Sequence, residues 1–123
     1  MRSIAAHFGT DVVSARDALA NMRIGKTVLV NPRDGELWMA GPFSGTETPY
    51  RVRIGEKSWW ANCAWDMLGI VTMVGRSGEV ESRCTDCGEA TNFPVDTQRG
   101  PAIDAVVHFL VPASRWYDDI AYT

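Results

Sequence analysis

Apolar and polar positions recur along the chain with two spacings, that of a helix and that of a strand. Val12, Ala15, Leu19 and Met22 recur at helical spacing, with Thr10 and Asp11 able to cap the helix and Gly25 able to stop it. The runs 27–30 (Thr-Val-Leu-Val) and 36–40 (Glu-Leu-Trp-Met-Ala) flank the turn-forming Asn31-Pro32-Arg33-Asp34-Gly35, which predicts a β-hairpin. Helix followed by hairpin is the closing half of a winged helix; the usual opening helices find no room in the first nine residues. Pro42 to Pro49 reads as a linker and Tyr50 to Ile54 as a strand of alternating faces. Ser58 then caps a helix expected over Trp59 to Leu68, ended by Gly69. Strands are expected near Ile70–Val74, Glu79–Arg83, Thr91–Val95 and Ala105–Val111, with turns at Gly75–Gly78 and Gly88–Ala90. The pattern therefore predicts an α+β fold, a partial winged-helix element over 1–45 packed on a β-rich module over 46–123, without internal repeats.

Composition narrows the function classes. A chain of 123 residues with 46% hydrophobic and 22% charged residues can bury a core as one compact domain or two small subdomains. The net charge of -3 gives no overall reason to hold nucleic acid, and the helix that would read DNA offers only Arg16 and Arg23 beside Asp17. No apolar run is long enough to cross a bilayer, and the start Met1-Arg2-Ser3-Ile4 lacks a signal-peptide pattern, so a cytoplasmic protein is expected. Three cysteines without a secretion signal suggest reduced thiols acting as ligands or nucleophiles. The sequence carries no signal for the oligomeric state.

On the expected helix Cys63 and Asp66 are three residues apart and share a face, which pairs a thiol with a carboxyl. A thiolate suits a soft metal ion, and a neighbouring carboxyl can move a proton to or from whatever the metal carries. Placement in the first helical turns favours the thiolate, and an ionised Asp66 opposes it. On spacing alone Cys63 reads first as a buried packing residue, and its pairing with Asp66 does not overturn that. Cys84-Thr85-Asp86-Cys87-Gly88 has the form of a zinc-knuckle turn, open to a zinc or other metal site with Cys63 or His108 as further ligands, to a redox pair, or to two unligated thiols. Trp59, Trp60 and Trp65 read as core and pocket wall, and His108 as a hydrogen-bonded strand residue.

The residues Pro42-Phe43-Ser44, Thr48-Pro49-Tyr50-Arg51-Val52 and Trp60-Ala61-Asn62-Cys63-Ala64-Trp65-Asp66-Met67-Leu68-Gly69-Ile70 form a long ordered set. With Ser82-Arg83-Cys84, Gly88 and Trp116-Tyr117-Asp118-Asp119-Ile120, this set resembles the alkylmercury (organomercurial) lyase family from about Val12 onward. The resemblance implies protonolysis of a carbon–mercury bond. The cysteine matching Cys63 takes the organomercurial as a thiolate, and the aspartate matching Asp66 shuttles the proton that releases a hydrocarbon. Hg(II) is then held by thiolates until low-molecular-weight thiols collect it, with no resident cofactor required. The cysteine matching Cys84 has a structural part. The family's second catalytic cysteine follows the Trp-x-Asp-Asp-Ile segment, and here Ala121-Tyr122-Thr123 ends the sequence without it. The chain is thus expected to be a piece of a longer protein or a divergent member, and Cys87 offers a substitute thiol for Hg(II) if Cys63, Cys84 and Cys87 converge. The alternative from another class is a non-catalytic thiol protein that binds a soft metal ion as chaperone, scavenger or sensor.

Overall fold

The structure is a computed structural model that describes residues 1–22, 28–116 and 118. Helices α1 (Arg2–His7) and α2 (Val12–Met22) precede strands β1 (Val28–Val30), β2 (Leu37–Ala40), β3 (Phe43–Ser44), β4 (Arg51–Ile54) and β5 (Lys57–Ala61). Helix α3 (Ala64–Val74), strands β6 (Gly78–Arg83), β7 (Ala90–Asp96) and β8 (Gly100–Pro101), and a 3₁₀ turn at Ala113–Arg115 follow. The strands form one antiparallel sheet in the order β1-β2-β3-β5-β4-β6-β7-β8. This mixture of helices with an antiparallel sheet is the expected α+β class.

The N-terminal elements follow local sequence rules. Asp11 caps α2 through its carboxylate, which accepts from the Val13 and Ser14 amides at 2.8 and 3.0 Å. The β1–β2 hairpin forms as expected, with Asn31 and Asp34 bonding their own turn. Helix α1 is a correction, because a helix does fit in the first nine residues. It packs on α2 through Met1, Ala5 and Ala15, and the Met1 ammonium pairs with Glu36 of the hairpin. Arg23, Gly25 and Thr27 of the expected helix and strand lie outside the described residues.

The larger correction concerns the segment around Trp59. The expected helix from Trp59 to Leu68 is a strand followed by a helix: β5 ends at Ala61, and α3 begins at Ala64. Gly55 adopts φ +61°, and with Glu56 it closes a tight hairpin that sets Ile54 opposite Lys57 and Val52 opposite Trp59. Two adjacent tryptophans suit such a pleated ribbon, and cross-strand pairing overrides the helical reading. The expected strand Ile70–Val74 is instead the second half of α3, where Met67, Ile70, Val71 and Val74 recur at helical spacing and face the sheet. Gly69 lies inside the helix, and Gly75 ends it in the left-handed conformation at φ +69°. The expected linker contains β3, and the expected strand Ala105–Val111 is irregular chain with Val106 94% exposed.

Strand alternation explains the two faces of the sheet. Val52, Ile54, Ala61, Val80 and Val95 point under α3 and form the main core with Met67, Ile70 and Val71. Arg51, Arg53, Trp60, Glu79 and Glu81 alternate with these residues along β4, β5 and β6. There Arg53 pairs with Glu79 and Glu81 at 2.8 and 2.9 Å, and Arg51 lies over the Trp60 ring.

Candidate active site

Cys63 stands at the junction between β5 and α3, as the N-cap residue of the helix with extended backbone (φ -147°, ψ 177°). The end of β5 is held by a local net. Thr48 Oγ1 donates to the Ala61 carbonyl at 2.6 Å, the Ala61 amide donates to the Tyr50 carbonyl at 2.8 Å, and Asn62 Nδ2 donates to the Gly41 carbonyl at 2.8 Å. The Asn62 amide also donates to the Pro42 carbonyl at 3.3 Å, which ties this junction to the segment before β3. The neighbourhood of Cys63 is therefore set by the Gly41–Tyr50 stretch as much as by α3.

Asp66 lies in the first turn of α3, and Cys63 Sγ donates to its Oδ2 at 3.4 Å. The expected pairing is present, carried by the cap and first turn of a helix rather than by its middle. Burial pushes the Cys63 thiol up to about 11, and the Asp66 carboxyl adds to the rise by opposing a second negative charge. The Trp65 and Asp66 amides face the sulfur and pull the other way, although no capping hydrogen bond meets full geometry. The expectation that the helix start favours the thiolate is corrected: desolvation outweighs the backbone dipoles, and Cys63 is a thiol at neutral pH. Burial also raises the Asp66 carboxyl above its ordinary value, against hydrogen bonds from Cys63 and the Asn62 side chain. Such a pair can pass the thiol proton to the carboxylate when a metal takes the sulfur.

Two neighbours escape a reading by spacing. The Tyr50 phenol is raised by burial and by the nearby Cys63, and Asn62 bonds Asp66. Both arise from contacts across the chain, and their signal was the ordered run of residues around them rather than any periodicity. Trp59 packs against the core and Trp60 under Arg51, whereas Trp65 is 56% exposed, so only part of the expected aromatic wall is buried.

Cys84 and Cys87 occupy the exposed tip between β6 and β7 and are free thiols. The Gly88 amide closes the turn on the Cys84 carbonyl at 2.9 Å. The Cys87 and Asp86 amides and the Cys87 thiol face Cys84 Sγ and lower its titration. Among the described residues no group of three or more His, Cys, Asp or Glu side chains is placed to hold a metal ion. The three cysteines thus do not gather into one ligand set, and the residues present do not form the four-ligand set of a structural zinc site. His108 is exposed in irregular chain and is not the strand residue expected. Asp118 pairs with Arg115 at 3.1 Å, while Tyr117, Asp119 and Ile120 lie outside the described residues. No described helix is long and apolar enough to cross a membrane.

The fold is similar to the crystal structure of the mercury-bound form of MerB2, with a TM-score of 0.59 at 19% identity, covering 83% of this chain and 48% of that one. The chain thus spans about half the length of that structure. No curated protein shows a comparable match. The family model for alkylmercury lyase matches residues 43–123, a span that holds Cys63, Asp66, the strands around them and the Cys84–Cys87 tip. With two thirds of its length matched and its thiol–carboxyl pair inside the match, the chain belongs to the alkylmercury lyase family.

Proposed function

We propose that Cys63 and Asp66 cleave a carbon–mercury bond by protonolysis, giving a hydrocarbon and thiolate-held Hg(II). The observation that carries this reading is the 3.4 Å contact in which the Cys63 thiol donates to the half-buried Asp66 carboxylate. The organomercurial cation replaces the thiol proton, forming the sulfur–mercury bond while Asp66 takes the proton. The resulting carboxylic acid then gives that proton to the mercury-bound carbon. The electron pair of the carbon–mercury bond becomes the new carbon–hydrogen bond, and Asp66 returns to carboxylate. Burial favours the uncharged acid that this second step needs, and the Asn62 side chain holds the carboxyl at the helix start.

Hg(II), the product, leaves Cys63 by exchange onto low-molecular-weight thiols, which fits a protein working in the reducing cytoplasm. Its substrate is a small organomercurial reaching a thiol on the sheet-to-helix junction. Benzene release from phenylmercuric acetate with excess thiol tests the proposal. Turnover by the wild type that is lost in Cys63→Ser supports it. Stoichiometric mercury binding with no benzene would replace it with the non-catalytic reading, a thiol protein that holds a soft metal ion.

A further inference from the structure

Strands β5 and β6 pair with β4 on opposite sides, with Arg51 set opposite Trp60 on one and Glu81 on the other. Both run antiparallel to β4, so they leave the sheet at the same end, β5 toward Cys63 and β6 toward Cys84. The β6–β7 hairpin thus carries a second, separate set of thiols to the end of the sheet where Cys63 lies. Its tip is a closed turn: the Cys84 amide donates to the Glu89 carbonyl at 2.8 Å, the Gly88 amide to the Cys84 carbonyl at 2.9 Å, and Gly88 takes φ +73°.

Three features of this tip bear on its chemistry. Both cysteines are exposed and free, so an ion carried by small thiols can reach them. Cys84 and Cys87 stand three residues apart in this one closed turn, so both sulfurs belong to the same exposed tip. No third Cys, His, Asp or Glu joins them in a metal-holding group among the described residues. Two soft donors without a third suit an ion that is content with linear coordination; zinc closes a structural site with four ligands.

We propose that Cys84 and Cys87 form a two-coordinate bis-thiolate site for Hg(II), distinct from Cys63. Binding exchanges two small ligands on the ion for the two cysteine sulfurs; both thiol protons pass to solvent, and nothing is oxidised or reduced. The Asp86 carboxylate beside Cys84 adds attraction for a cation. The product of the proposed cleavage is this same ion, so the pair would serve as its acceptor; that link rests on the lyase reading, whereas the binding itself does not.

The test uses reduced Cys63→Ser protein titrated with mercuric chloride under competition from a monothiol, with free thiols, bound mercury and chain size counted together. The site predicts one Hg(II) retained per monomer and both remaining thiols consumed. Replacing Cys84 or Cys87 by Ser on that background should weaken retention by about 10²- to 10⁴-fold, the gain expected when a second ligand is already tethered. Both positions are exposed at a hairpin tip, and an unchanged thermal midpoint would show that each variant folds. Retention that survives either replacement, or mercury that bridges two chains, would overturn the proposal. No organomercurial enters this titration, so its failure is distinguishable from a failure of the lyase reading.

Discussion

Cys63 Sγ donates to Asp66 Oδ2 at 3.4 Å from the N-cap of α3, which sets a half-buried thiol against a carboxyl one helical turn away. With burial as the first cause, the thiol titrates at about 11 against an ordinary value of 9.0. In protein carrying Cys84→Ser and Cys87→Ser, alkylation of Cys63 should keep rising with pH beyond 9 and reach its midpoint near 11. The folded state thus binds the proton more tightly than the unfolded chain. This contribution to stability is therefore fully present below pH 9 and is lost as the pH rises toward 11. An alkylation midpoint at or below 9 would contradict the burial argument.

Asp66→Asn removes one cause of that rise while leaving the side chain's size nearly unchanged. The Cys63 midpoint should fall relative to the parent, because the opposing charge and its hydrogen bond both favour the protonated thiol. The same alkylation profile measures it. A midpoint that stays put would mean that desolvation alone sets the thiol.

Gly69 and Gly45 separate two kinds of glycine. Gly69 lies inside α3, and a methyl group there would meet only Pro42 Cβ at an ordinary 3.6 Å. Gly69→Ala should therefore stabilise the protein by roughly 0.5–1 kcal/mol through helix propensity. At Gly45 the added carbon would fall onto the Leu37 carbonyl oxygen, so Gly45→Ala must displace backbone beside β2 and β3 and should destabilise. Denaturant midpoints of both variants check the pair. Loss of stability in Gly69→Ala would argue that the helix ends there after all.

Ile70 is fully buried between α3 and the sheet. Ile70→Ala should cost about 2–5 kcal/mol, since the surrounding strands collapse only partly into the space. Chemical denaturation reads the loss. A cost below about 1 kcal/mol would fit an exposed position, not this core.

Much of this architecture was legible in the chain. Asp11 as a helix cap, the Asn31–Gly35 turn and the strands 79–83 and 91–95 are written in local chemistry, and the structure places them there. The region around Cys63 was misread because Ser58-Trp59-Trp60 fits a helix start as well as a strand. The deciding contacts, Trp59 with Val52 and Phe43 with Ala61, are non-local. The pairing of Cys63 with Asp66 survived that error, since a cap residue and the third helical residue are neighbours in either frame. Burial of the thiol was legible only as the general habit of a free cysteine; what covers it here depends on how the Gly41–Tyr50 stretch folds against the strand end. The convergence of three cysteines failed for the opposite reason, because strand β6 carries Cys84 and Cys87 out to an exposed tip.

In the proposed cleavage Cys63 takes the mercury and Asp66 delivers the proton. A single-turnover experiment tests it most directly. Cys63 is loaded with one equivalent of phenylmercury, the adduct is confirmed by intact mass, and benzene release is followed in the parent and in Asp66→Asn. The adduct is expected in both proteins, with release slowed by about 10²- to 10⁴-fold in Asp66→Asn, the usual worth of a positioned general acid. Equal release rates, or a parent adduct that never yields benzene, would contradict it.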